Sequence, residues 1–309
     1  MEFKYSLPSR FAGRVAKQTR LVAGAHIFNA PWRSRLERRK VRYKVTRESA
    51  LRYLARYNDY IRGINPVAPA PDPEPERVFS IWLQGEENAP EIVKACFRSM
   101  RRHLKQEVVV LDEKSLFDWI QLPEHILKKW KSGKMSAAHF CDVCRVELIY
   151  QHGGVWLDAT DYVTSPIPQW IMDEDFFIFM AGSTIRGSYS YVQNCFFRAR
   201  KHNPLLGVWR KAIWKYWQHE NSVVNYFTHH FLFKLSVEQN PAARREFEKM
   251  PRREQDPTHT VWYAHKNEPF DSLRYEKMIS GAFFQKTDYK AKDSIRPVPG
   301  SFAEKMIEM

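Results

Sequence analysis

No uninterrupted apolar run in this chain approaches the ~20 residues that cross a bilayer as a helix, which argues against a helical membrane-spanning protein. The opening stretch, MEFKYSLPSRFAGRVAKQTR, lacks the charged-then-apolar order of a secretory signal, so a cytoplasmic location is the default expectation. Cysteine is scarce. Cys96, Cys141, Cys144 and Cys195 are too few for a disulfide framework in 309 residues. Cys141-x-x-Cys144 has the spacing of a zinc or redox pair, but no second such pair and no histidine pair completes a four-ligand site. Reduced thiols packed on a helix are the expected outcome. No internal repeat is present.

What the chain does have is enough apolar material for a core. Hydrophobic residues make up 44% and aromatics 14% of the sequence, as in a packed globular body. One large α/β domain with an appendage fits this length. The net charge of +14 is unevenly placed: residues 1–65 hold sixteen Lys/Arg against Glu2, Glu37, Glu48 and Asp59, leaving the remainder nearly neutral. Such a segment attracts anionic lipid head groups, worth about 1 kcal/mol per basic residue near the surface. A solvated or partner-docking helical arm explains it equally well. A nucleic-acid-binding protein would also be basic, but it calls for base-stacking or groove-reading motifs in the body, and none is found.

Three segments follow from the pattern. Residues 1–65 read as a basic helical arm, with a helix over about 46–63 capped by Thr46 and carrying Leu51, Leu54, Tyr57 and Ile61 at helical spacing. Residues 66–76, PVAPAPDPEPE, read as a stiff proline-rich linker. The domain proper spans 77–309. It opens with a strand, VFSIWLQG (78–85), a helix starting at Pro90, and a second strand, QEVVVLDE (106–113). That order predicts a parallel α/β sheet. A helix over 136–152 carries Phe140, Val143, Val146, Leu148 and Ile149, and Gly153-Gly154 stops it. VWLDATDYV (155–163) begins as a strand, and FFIFMAG (176–182) and CFFRA (195–199) are further strands.

The chemistry concentrates between residues 136 and 168. Asp142 and Arg145, three apart, share one helix face; alone they would be read as a surface ion pair worth at most about 1 kcal/mol. Asp158 follows the apolar run Val155-Trp156-Leu157. An ionised Asp at the mouth of a buried strand needs a partner or a metal, though an Asp that caps a turn is also common. Ligands in open α/β sheets gather beyond the carboxyl ends of strands.

This array resembles the capsular-polysaccharide-synthesis and Och1-like glycosyltransferases, whose sugar-binding region carries a DxD motif and whose core is related to that of the large clostridial toxin glucosyltransferases. Their pattern is Ser-Asp-x-x-Arg on a helix, then Gly-Gly-x-[WY]-x-Asp-x-Asp. Here it reads Cys141-Asp142-x-x-Arg145, then Gly153-Gly154-Val155-Trp156-Leu157-Asp158-Ala159-Thr160, with Asp161 next. The likeness extends to Ile81-Trp82-Leu83-Gln84-Gly85, Ala89-Pro90-Glu91-Ile92-Val93, Leu122-Pro123 and Thr164-Ser165-Pro166-Ile167.

The resemblance implies a GT-A-type nucleotide-sugar-binding domain, a mostly parallel sheet flanked by helices. It implies a retaining transfer of a sugar from a nucleotide-diphosphate donor, a UDP-sugar by preference, to a hydroxyl of a glycan acceptor. Mn²⁺ or Mg²⁺ would sit on Asp158, with Thr160 or Asp161 completing the site, and would stabilise charge on the departing diphosphate. Asp142 would accept from sugar hydroxyls while holding Arg145. Trp82 would border the nucleobase, a core aromatic being the equal alternative, and Gln84, Gly154 and Lys286 would line the donor, a solvated surface side chain being the favoured alternative for Lys286. Asn194 would line the acceptor side. His229 and His230 are expected in packing or a polar network. A scaffold of a polysaccharide-assembly complex that has lost catalysis is the rival reading of Thr160. Attachment at the inner face of a membrane would suit a lipid-anchored acceptor.

Overall fold

The computed structural model describes residues 46–69, 76–182 and 191–309. Most of the basic segment, residues 1–45, lies outside these, as do 70–75 of the proline-rich stretch.

Among the described residues, seven strands form two sheets. β1 (Arg77–Ile81) and β2 (Glu107–Leu111) are joined through helix α1 (Glu91–His103), whose Ile92, Val93, Cys96, Phe97 and Met100 are buried. Pro90 stands at its N-cap, where a missing N–H costs nothing, and Arg101, Arg102 and His103 occupy the last turn, where cations suit the helix dipole. The long helix α2 (Ala137–His152) leads into β3 (Gly154–Leu157), and a tight turn leads from there into β4 (Asp161–Val163). β5 (Phe176–Met180), β6 (Val192–Ala199) and β7 (Phe284–Lys286) complete the set. The central sheet has the order β2-β1-β3-β6-β5, and β4 pairs with β7 in a separate two-stranded ribbon.

β1 runs parallel to β2 and β3, while β6 is antiparallel to both β3 and β5. Four of the five central strands therefore point one way and β6 alone is reversed. The α/β architecture is the expected one, with this single reversed strand as the departure from an all-parallel sheet. The stretch 155–163 is likewise two strands of different sheets, broken at Asp158–Thr160.

α2 is buried on nearly every face, because the sheet lies on one side and an outer helical layer on the other. That layer is α3 (Pro204–His219), α4 (Thr228–Gln239) and α5 (Pro241–Lys249). Asn203 and Asn240 cap α3 and α5 through side-chain oxygens, each followed by proline at the first helical position. Consequently the charged residues of α2 are interior. Glu147, for example, meets Arg210 of α3 at 2.9 Å.

Two glycines set the α2–β3 junction. Gly153 closes α2 with φ 68°, and Gly154 adopts φ 93° with its Cα so near β1 that an added Cβ would lie 2.4 Å from the Arg77 carbonyl oxygen. No side chain fits there.

The arm expected over 1–65 is not separate along its whole length. Residues 46–62 are helical, with a 3₁₀ turn at Ala55–Tyr57, and bury Ala50, Leu54, Tyr57 and Ile61 against α3 and α4. The Tyr53 and Tyr57 hydroxyls both donate to Glu220, at 2.6 and 3.0 Å. The Asn240 amide donates to the carbonyls of Ile61 and Ile64 at 3.0 and 2.8 Å. Apolar spacing made this segment a helix, and the same spacing made it part of the core.

Candidate functional site

β1 and β3 are parallel neighbours in register Phe79↔Trp156, so their carboxyl ends open on the same edge of the sheet. Asp158 leaves β3 at that edge. Its N–H donates to the Cys195 carbonyl of β6 at 2.9 Å, which fixes where the chain turns. The turn returns as β4, and the Asp161 carboxylate accepts from the Asp158 N–H at 3.1 Å.

Four separate elements then converge. Arg145 of α2 reaches Asp158 Oδ1 through Nη1 at 3.0 Å and Asp142 Oδ1 through Nη2 at 3.1 Å. Nη1 also donates to the Asn194 carbonyl at 2.7 Å, and the guanidinium lies 5.0 Å from the Trp156 ring. The Trp156 indole donates to Asp158 Oδ1 at 2.8 Å. From β6, the Asn194 amide donates to Asp142 Oδ1 at 3.0 Å. From β7, Lys286 Nζ lies 2.6 Å from Asp158 Oδ2 and 3.1 Å from Asp161 Oδ1. From α4, His229 Nδ1 lies 3.0 Å from Asp142 Oδ2. His229 Nε2 accepts from the Trp217 indole at 2.9 Å, so the ring proton sits on Nδ1 and faces the carboxylate.

Fully buried charge is tolerated only when paired and hydrogen-bonded, and this cluster pairs three carboxylates with two cations. Burial works against ionisation of Asp142, but Arg145 and then His229 outweigh it and hold the carboxyl well below its ordinary value. The same contest at Asp158 is decided by Arg145 and Lys286, again downward. Lys286 is disfavoured as a cation by burial, yet Asp158 and Asp161 push it well above the usual lysine value. Asp161 differs. Burial pushes its carboxyl up to about 7, with Lys286 opposing the rise and Asp158 adding to it. Its side chain is fully covered, whereas that of Asp158 keeps 22% exposure, so of the two carboxylates Asp158 is the one open to solvent.

The spacing therefore brings Asp142, Arg145, Asn194, Asp158, Asp161 and Lys286 together. Asn194 is turned into this network, its amide on Asp142. Trp82 follows β1 at the same edge, packs edge-on to Tyr289 with centroids 5.0 Å apart, and keeps a buried indole N–H without an acceptor. Gln84 is exposed just beyond it. Gly154 is not brought in: it begins β3, four residues and roughly 13 Å from Asp158, and its role is the close approach to β1. His229 sits in the polar network, as expected of it. The Asp142 contact is invisible in sequence, because α4 reaches α2 only through packing of the outer layer. His230 is buried close by, and burial lowers it to about 4. A cavity of about 500 Å³, beside Thr164, Trp170 and Phe283, lies at the opposite end of the β4–β7 ribbon from Asp161 and Lys286 and contains none of the clustered charges.

The donor set does not fit the expected divalent ion as it stands. Among the described residues no three His, Cys, Asp or Glu side chains are grouped to hold a metal. Asp158 Oδ1 already accepts from Trp156 and Arg145, and Oδ2 is taken by Lys286. The Thr160 carbonyl is bonded twice by Thr287, through its N–H at 2.8 Å and its hydroxyl at 2.9 Å.

Comparison with known proteins adds three findings. O-glycosyltransferase braB of Annulohypoxylon truncatum is 25% identical over 178 residues, 52% of this chain and 42% of that protein. The match thus spans well under two thirds of that relative. The solved structure of the PaToxG glycosyltransferase aligns with 79% of this chain and 100% of its own, at 13% identity and a TM-score of 0.41. Residues 33–306, most of the sequence, match the family described as capsular polysaccharide synthesis protein, and the chain belongs to that family.

Proposed function

We propose that this protein is a glycosyltransferase that moves a sugar, with retention, from a nucleotide-diphosphate donor to a hydroxyl of a glycan acceptor in capsular or other surface polysaccharide synthesis. The observation that carries this reading is the convergence of Asp142, Arg145, Asp158 and Lys286 at the carboxyl edge of a mostly parallel sheet. A UDP-sugar is the donor favoured by resemblance.

Breaking the anomeric C–O bond leaves a nucleoside diphosphate, so negative charge grows on phosphate oxygens. Lys286 Nζ has two of its three donors on carboxylates, and the side chain is 15% exposed, which leaves one N–H for a phosphate. Arg145 is a positioning residue: most of its donors are spent inside the protein, and they lock Asp142 and Asp158 against each other. Those two carboxylates have oxygens suited to accept from sugar hydroxyls. Trp82, with its unpartnered indole N–H, and Tyr289 border the same edge, in place for a nucleobase. Mn²⁺ or Mg²⁺, if bound, would add positive charge beside the diphosphate.

A donor panel read by released nucleotide, in Mn²⁺ and in EDTA, tests the reading. Wild type should release nucleotide from one donor class, and Asp158→Ala should fall about 100-fold or more. Unchanged turnover in Asp158→Ala would sink the site assignment. Silence with every donor would favour a scaffold without catalysis.

A further inference from the structure

We infer that Lys286 is a built-in substitute for the divalent cation at this site, so that donor binding and turnover proceed without metal. The inference rests on the donor-site reading above and specifies its cofactor requirement.

Three observations carry it. The first is register. β4 and β7 pair antiparallel with Asp161 directly opposite Lys286, which places both side chains on one face of the ribbon. The ammonium therefore arrives between Asp158 and Asp161 by backbone geometry rather than by the choice of a flexible surface side chain.

The second is anchoring on both sides of Lys286. The Gln285 side chain is wholly buried, accepting from the N–H groups of Thr260 and Val261 at 3.1 and 3.0 Å. Thr287 clasps the Thr160 carbonyl with its N–H and its hydroxyl. A swing of Lys286 out of the cluster would leave the buried Asp161 carboxylate beside Asp158 with no cation.

The third is the donor set. Mg²⁺ and Mn²⁺ need several oxygen ligands in fixed geometry, and the position that a second carboxylate of a DxD pair would fill is Thr160. An ion on Asp158 Oδ2 at an ordinary ligand distance would come within about 5 Å of Lys286 Nζ, because that oxygen already lies 2.6 Å from the ammonium. Two cations at that separation repel in a site that is mostly closed to solvent. An ammonium with one N–H still free offers the diphosphate the same kind of contact, a fixed positive charge that needs no loading.

The test has two arms on the full chain. In the first, Mn²⁺ is titrated by electron paramagnetic resonance, with no donor present. Wild type should show no site tighter than the millimolar range, whereas Lys286→Ala should gain one, which Lys286→Ala/Asp158→Asn loses again. Lys286→Arg keeps a cation and should gain none. A tight Mn²⁺ site in wild type that Asp158→Asn abolishes would overturn the inference, and that measurement needs no lysine variant to fold.

In the second arm, nucleotide release is compared in Mn²⁺ and in EDTA. Wild type should differ by less than about two-fold, and Lys286→Ala should become Mn²⁺-dependent. Turnover by wild type only with Mn²⁺ also defeats the inference while leaving the proposed function intact. Absence of turnover in every condition counts against the proposed function instead, and the Mn²⁺ titration still decides the inference.

Discussion

Arg145 illustrates how much one side chain can carry. Its Nε donates to the Cys141 carbonyl at 3.4 Å, Nη1 serves Asn194 and Asp158, and Nη2 serves Asp142. In isolation an Asp and an Arg three apart on a helix read as an exposed pair worth a few tenths of a kcal/mol. Buried, the same pair is part of the structure. Arg145→Ala should cost about 3–5 kcal/mol of stability, since it leaves the interior Asp142 carboxylate without its cation and Asp158 with Lys286 alone; urea unfolding monitored by tryptophan fluorescence checks this, and a loss below about 1 kcal/mol would return the pair to the surface class. A second residue-scale expectation concerns pH. His139 and His230 are both held near 4, by burial first, against an ordinary value of 6.5. The unfolded chain therefore binds up to two more protons between those values. The stability that depends on keeping these rings neutral is fully present above pH 6.5 and is lost as pH falls toward 4. The thermal midpoint should drop across this window, and His230→Gln should remove about one proton, roughly 1.4 kcal/mol per pH unit, from the slope. Parallel curves for the two proteins would refute the assignment.

Among elements, the α2–β3 junction and the β4–β7 ribbon decide whether the site exists. Gly154→Ala would force a methyl to 2.4 Å from the Arg77 carbonyl oxygen at φ 93°, pushing β3 from β1 and moving Asp158 with it. We expect a loss of about 2–3 kcal/mol and of donor turnover. Gly133→Ala is the control: its φ is also positive, at 69°, but an added Cβ meets nothing within 4 Å, so it should cost only about 1 kcal/mol. Equal melting temperatures for the two variants would show that the close approach to β1 does not matter. β1, β2, α1, α2 and the glycine stop were legible because apolar period, Pro90 and Gly153-Gly154 are local signals, whereas α3, α5 and β7 were not read from the sequence. Nor was the reversal of β6. A strand's direction depends on the connection that delivers it and on which neighbours bury its Phe196 and Phe197.

For the whole molecule, the helical stretch 46–62 packs with the body. Relative to a chain beginning at residue 46, one beginning at residue 65 should lose several kcal/mol by uncovering the partners of Leu54, Tyr57 and Ile61. Calorimetry of both truncations checks this, and indifference to the second would mean the helix is peripheral. Residues 1–45 keep twelve Lys/Arg against Glu2 and Glu37, so their removal should abolish sedimentation with anionic vesicles while leaving catalysis on soluble donor unchanged. No helix of the described residues is long and apolar enough to cross a membrane.

The amino-acid order alone determined the first two strands, the helix between them, the helix over 136–152 with its glycine stop, that a carboxylate follows a buried strand, and that Asp142 and Arg145 share a face, because each is settled within a turn or two of chain. Only the tertiary structure decided that Asn194, His229 and Lys286 contact Asp142, Asp158 and Asp161. Lys286 meets Asp158 across 128 residues of sequence. Contacts of that range depend on strand order, register and the packing of α2 between sheet and outer helices, none of which local spacing encodes.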